Sequence, residues 1–234
     1  MNRRNLNLET TRFLWMRNAI IVFQKDIQLE FRSRYAVNAI FLFAITTLTA
    51  ISFSIGPIRL HSNVLAPLLW IILFFSAMSG LSHIFVREEE QQTADTLRLV
   101  TSPNSIFIGK WLFNLVLLTV LEVLIIPIFM AMMSVSVENF LVFLSILLLG
   151  TIGLSSVATL IAAIIAQASA KGALFAVLSF PIALPILISG IHATRLAMDG
   201  EGFSNCLPDL QILFSFSVVI ITLSLLLFEF IWRK

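Results

Sequence analysis

Six stretches of this chain are each long and apolar enough to cross a bilayer as a helix, and that leaves little freedom in what it can become. A spanning helix needs ~20 mostly apolar residues, and such windows lie near 36–56, 64–85, 111–134, 140–166, 172–190 and 210–231. With 59% hydrophobic and 12% charged residues among 234, no soluble core could absorb them. The expected class is an all-α membrane protein. Pro181 and Pro185 fall inside the fifth window; neighbouring helices and hydroxyls can satisfy the carbonyl a proline frees, so a kink is expected there rather than a boundary. Twenty-one Phe against one Tyr and four Trp suit lipid-facing and bundle-packing positions rather than a nucleic-acid or carbohydrate surface.

Lys and Arg set the orientation. With both termini cytoplasmic, the inside segments hold Arg3, Arg4, Arg12, Arg17, Lys25, Arg32, Arg34, Arg87, Arg98, Lys110, Lys171, Arg233 and Lys234, and the outside loops hold only Arg59 and Arg195. Residues 85–110 and the turn Gln167–Gly172 then face inward. The loops 57–63, 134–139 and 191–209 face outward. Two units follow: an N-terminal cytoplasmic segment, 1–35, and a six-span domain, 36–234.

The N-terminus does not read as a cleaved signal, because its basic residues run on to Arg34 and no small-residue cleavage site appears. Instead Phe13, Met16, Ile20, Phe23, Ile27 and Phe31 recur at helical spacing. They predict an amphipathic helix lying on the inner leaflet, serving either as an anchor or as an elbow that steers the first span.

Few residues carry chemistry. One cysteine, Cys206, cannot form an internal disulfide. His61, His83 and His192 are scattered; His61 and His192 fall at outward membrane edges, where hydrogen-bonded polar residues are commoner than ligands. No zinc-protease, nucleophile-elbow or phosphate-loop motif occurs, and Gly109-Lys110 lacks the glycine and hydroxyl that would make a phosphate loop. Glu122, near the middle of the third span, is the one buried carboxyl with a candidate role: a coupling site for secondary transport, or a hydrogen-bonded group that stabilises packing. Glu229 lies one turn from Trp232-Arg233-Lys234 and is assigned no function. Ala158, Ala162, Ala166 and Ala170 form a small-residue stripe that serves internal packing or dimerisation.

The densest charge beyond the N-terminus is the segment "FVREEEQQTADTLRLVTSPNSIFIGK", residues 85–110. Its residues 87–110, joining two spans, are too short for a domain and long enough for one helix parallel to the membrane over 87–103, with Glu88, Glu89 and Glu90 at its start, Thr96, Leu97, Leu99 and Val100 giving a buried side and Pro103 ending it. Joined to two spans, such a helix is a lever for a partner. The alternative is a solvated loop whose acids balance Arg87 and Arg98.

The order of glutamate cluster, Thr93, Leu-rich helix, Ser102-Pro103 and Gly109-Lys110 resembles the coupling loop of ABC type-2 permeases. "SIGP" (Ser54–Pro57), "LAPLLWIILFF" (Leu65–Phe75), "REEE" (Arg87–Glu90) and "SPNSIFIGKWLFN" (Ser102–Asn114) resemble the CcmB subunit, or haem exporter protein B, of the cytochrome c maturation system. The similarity runs over most of the chain, sharpest from Ser54 to Asn114. Relatives carry Gly before the threonine matched by Thr93, where this chain has Gln92. The resemblance implies a non-catalytic, homodimeric membrane subunit of a bacterial-type inner membrane. It binds no cofactor directly: ATP is hydrolysed on a separate CcmA-type ATPase, and haem is handled by the complex. Further partners implied are a CcmC-type haem-handling protein, a small CcmD-type protein and a CcmE-type haem chaperone. The residues implied to couple the ATPase to export or chaperone release are Arg87, Glu88, Glu89, Glu90, Thr93, Leu97, Leu99 and Pro103. An ABC permease for another substrate and a secondary transporter using Glu122 remain as alternatives.

Overall fold

A computed structural model of the protein describes residues 3–56, 58, 60–81, 83–90, 92–166 and 171–232. Pro57, Arg59, residues 167–170, Arg233 and Lys234, on which parts of the orientation argument and of the alanine stripe fell, lie outside the described residues, as do the side chains of Arg3, Arg4, Arg12, Phe13, His83 and Lys171. Among the described residues the chain forms nine helices and no strand: α1 (Arg3–Ser33), α2 (Tyr35–Ile55), α3 (Ser62–Leu81), α4 (His83–Glu90), α5 (Ala94–Val100), α6 (Pro103–Met133), α7 (Phe140–Ile165), α8 (Lys171–Met198) and α9 (Phe203–Trp232). Six are long and apolar enough to cross a membrane: α2, α3 continued by α4 (Ser62–Glu90), α6, α7, α8 from Val177 to Met198, and α9.

The expected loop 191–209 is mostly helix. α8 continues to Met198, α9 begins at Phe203, and only residues 199–202 join them. His192, Thr194 and Arg195 fall in that expected loop, but tertiary contacts hold them in the helix. Trp70 of α3 is fully buried and donates its indole N–H to Thr194 Oγ1 at 2.9 Å. A Cβ on Gly150 or Gly190 would lie 2.1 or 2.5 Å from that indole, so these two glycines of α7 and α8 form the slot that accepts it. His192 of α8 meets Asp209 of α9 at 2.7 Å, and Cys206 is buried against the Ala193 carbonyl.

α7 lies at the centre, packed against α3, α4, α6, α8 and α9. Ala158, Ala162 and Ala166 are all buried within the chain, so the small-residue stripe serves internal packing. By contrast α2 and α9 present most of their span surface outward.

α1 packs along α6 and leaves much of its apolar stripe on the outside of the bundle. Met16, Ile20 and Phe31 are 49%, 50% and 77% exposed, Phe23 and Ile27 are half-buried, and the buried face is Ala19, Val22, Asp26 and Glu30. The reason is close approach. A Cβ on Gly109 would lie 2.7 Å from both the Ala19 carbonyl and Val22, so only small residues of α1 fit there. Arg34, with φ 52, then separates α1 from α2. The Glu30 carboxylate accepts from Val37 N at 3.0 Å, occupying one of the free N–H groups at the start of α2. The junction is thus a capped elbow.

Candidate coupling site

The segment between the second and third spans folds as two short helices rather than one. Ile84, Phe85 and Val86 continue the apolar run of α3, with Phe85 and Val86 buried, so α4 extends the span to Glu90. Gln92 then adopts φ 54, and Thr93 N donates back to the Glu88 carbonyl at 3.0 Å. The left-handed turn at Gln92 is the conformation glycine adopts most readily. α5 follows, and extended residues Thr101 and Ser102 lead into Pro103, which stands past the end of α5 and in the first turn of α6. The expectation of a single helix over 87–103 with the glutamates at its N-terminal start is therefore corrected. They occupy the last turn of α4, where the helix dipole disfavours carboxylates, and the basic residues around them must compensate.

Each glutamate has a different environment. Glu88 turns inward and is 6% exposed. Its Oε1 lies 3.2 Å from Lys110 Nζ and pairs with Lys25; its Oε2 accepts from Thr93 Oγ1 at 2.6 Å. Lys110, fully buried, also donates to the Ile84 carbonyl at 2.8 Å, pairs with Asp26 at 3.3 Å, and sits 5.1 Å from the Phe85 ring centroid. Lys25 completes the set with Asp26 at 3.2 Å. Burial pulls the Lys25 amine down, but Asp26 and Glu88 outweigh it and hold it above its ordinary value. Two cations and two carboxylates thus close a cluster that joins α1, α4 and α6.

Glu89 pairs with Arg98 at 3.0 Å, Glu90 is exposed, and Arg87 Nη1 donates to Ser33 Oγ at 3.4 Å. On α5, Ala94 is buried and Leu97 half-buried against the core, whereas Leu99 and Val100 are 88% and 74% exposed. An apolar pair this exposed on a seven-residue helix is the feature of the segment that most requires a covering partner. Of the residues expected to meet a partner, Glu90 and Leu99 face outward, Glu88 and Leu97 face the protein, and Arg87, Glu89, Thr93 and Pro103 shape the segment.

Sequence reasoning missed Lys25 and Asp26 as partners of Glu88 and Lys110, and Glu30 as the cap of α2. The available signal was an acid, Asp26, on the amphipathic segment and a lone lysine, Lys110, at the head of an apolar span.

Glu122 is 9% exposed and hydrogen-bonds with Thr151 Oγ1, whose single proton the Leu147 carbonyl at 2.8 Å shares. It lines a largely apolar groove of about 400 Å³ between α6 and α7. Asn114 Nδ2 donates to Thr159 at 2.8 Å and Trp111 Nε1 to Ser156 at 2.9 Å, extending a polar seam along these helices. His61 is exposed at the start of α3. Among the described residues no three His, Cys, Asp or Glu side chains gather in a way that could hold a metal.

The CcmB protein family matches residues 17–230, from within α1 to the last turns of α9. Over 178 residues, 75% of this chain and 82% of the relative, the chain is 25% identical to "Heme exporter protein B" of Rhodobacter capsulatus. With the match spanning nearly the whole six-span architecture and the segment between its second and third spans, the chain belongs to the CcmB family.

Proposed function

We propose that this protein is the membrane subunit of a haem-export transporter for cytochrome c maturation, and that α4 and α5 receive the motion of a separate cytoplasmic ATPase. Family membership and the name of the Rhodobacter relative support the first part. The second is carried by one observation: α5 exposes Leu99 and Val100 at the tip of a segment rooted directly in two spans. Force applied there acts on α3 through α4 and on α6 through Thr101–Pro103. The distribution of Lys and Arg supports placing both termini and this segment on the cytoplasmic side of a bacterial-type inner membrane. In this reading ATP is bound and hydrolysed by the partner, haem is handled by the assembly, and a haem-handling membrane protein, a small membrane protein and a haem chaperone complete it. Dimerisation of this subunit would present two such segments to two ATPase copies. Secondary transport through Glu122 has less support, because its partner is the neutral Thr151 and, among the described residues, no second buried ionisable group stands beside it.

The test is a Leu99→Asp/Val100→Asp double variant, co-expressed with the ATPase. The variant is expected to reach the membrane at normal level, because neither side chain is buried, yet no longer to co-purify the ATPase or support holocytochrome formation. Glu90→Lys should weaken the same association in proportion to ionic strength. Retention of the ATPase and of maturation by the double variant would remove the docking role from α5.

A further inference from the structure

We propose that Arg98 is a positioning residue through which movement of α5 reaches the inner end of α9. The inference rests on the coupling reading above and adds a third helix to the two that the chain connectivity already moves.

The observations form a continuous set of contacts. The Arg98 guanidinium lies 4.8 Å from the Trp232 ring centroid, while its Nη2 pairs with Glu89 of α4 at 3.0 Å. Trp232 is buried and stacks on Phe228 at 5.4 Å with an interplanar angle of 18°. Phe228, fully buried, packs against Phe85 of α4 at 5.5 Å and Phe107 of α6 at 5.4 Å, and Phe85 also meets Trp232 at 5.9 Å. Four rings from three helices therefore form one box, and a cation from α5 closes it. A planar guanidinium can lie over an aromatic face and hold a carboxylate at the same time. With the Arg98 side chain only 22% exposed, both contacts are shielded from water.

A well-packed box has discrete arrangements rather than a continuum. When α5 moves, Arg98 must either leave the Trp232 face or carry α9 with it. α9 is continuous for 30 residues, about 45 Å at 1.5 Å per residue. Displacement of its inner end is therefore transmitted to the outer end, where Asp209 meets His192 of α8.

The experiment uses the complex co-expressed with its ATPase, in a Cys206→Ser background with nitroxide labels at Leu42→Cys on α2 and Leu226→Cys on α9. These positions are 64% and 62% exposed, so the labels disturb no packing. Pulsed electron paramagnetic resonance with and without a non-hydrolysable ATP analogue should give a nucleotide-dependent shift of the distance distribution in the parent. Arg98→Ala and Trp232→Leu should abolish the shift while the ATPase still co-purifies, and the conservative Trp232→Phe should restore it. A shift that survives Arg98→Ala, or a parent with no shift, overturns the proposal. Loss of the ATPase in Arg98→Ala would overturn it too, by making Arg98 a docking residue. If Arg98→Ala fails to accumulate, Trp232→Leu decides by the same criterion. Failure of the parent to co-purify the ATPase would instead remove the coupling reading itself, and this inference with it.

Discussion

Glu88 and Lys110, 22 positions apart, share a buried ion pair at 3.2 Å, with Lys25 and Asp26 on its other sides. Breaking such a pair from one side leaves a charge buried without its counter-ion, at a cost of roughly 3–5 kcal/mol, whereas replacing both partners by groups of similar shape is often neutral. We therefore expect Glu88→Gln and Lys110→Met each to lower the thermal midpoint of the detergent-purified protein, and the double variant to recover most of the loss. A double-mutant cycle measures the coupling directly, and additive losses would show that the pair is not a unit. The same geometry separates folding from docking: Glu88→Lys/Glu89→Lys/Glu90→Lys should fail to accumulate, since it places a third cation beside Lys25 and Lys110, while Glu90→Lys alone should insert normally.

Gln92 occupies the left-handed region at φ 54, which costs an L-residue ~1–2 kcal/mol. Glycine removes that cost but loses roughly 0.5–1 kcal/mol of chain entropy on folding. Gln92→Gly should therefore be neutral or slightly stabilising, with export activity preserved. Gln92→Val, β-branched at positive φ, should be less stable than the parent by about 1–2 kcal/mol. Equal thermal midpoints for the two variants would contradict the turn geometry.

Glu122 accepts from Thr151, and a glutamine oxygen can accept the same proton. Glu122→Gln should keep both protein level and holocytochrome formation close to the parent, with a stability change under about 1 kcal/mol. Complete loss of maturation at normal protein level would indicate that the carboxyl carries a proton and would revive the secondary-transport reading.

Much of the architecture was legible in the sequence, because the free energy that decides it is local to each segment. A run of ~20 apolar residues must satisfy its backbone hydrogen bonds internally, and in a membrane that means a helix wherever the run occurs. The six spans and the charged segment between the second and third follow from residues close together in the chain. The ends of α8 and α9 did not, since polar residues such as Thr194, His192 and Asp209 look like a loop until Trp70 and one another satisfy them.

Tertiary structure alone decided which face of each element turns inward. The apolar spacing of α1 marked the stripe of Met16, Ile20 and Phe31 but not what the bundle would bury: it takes Ala19, Val22, Asp26 and Glu30, because Gly109 lets the backbones approach closely, Lys110 supplies a charge for Asp26, and Val37 N donates to Glu30. Likewise three consecutive glutamates are alike in sequence, but only Glu88 points toward Lys110 and Lys25. A helix rotates successive residues by 100°, so which carboxylate is buried depends on where its partners stand. Those partners, 63 positions before it and 22 after, come together only when α1, α4 and α6 have packed.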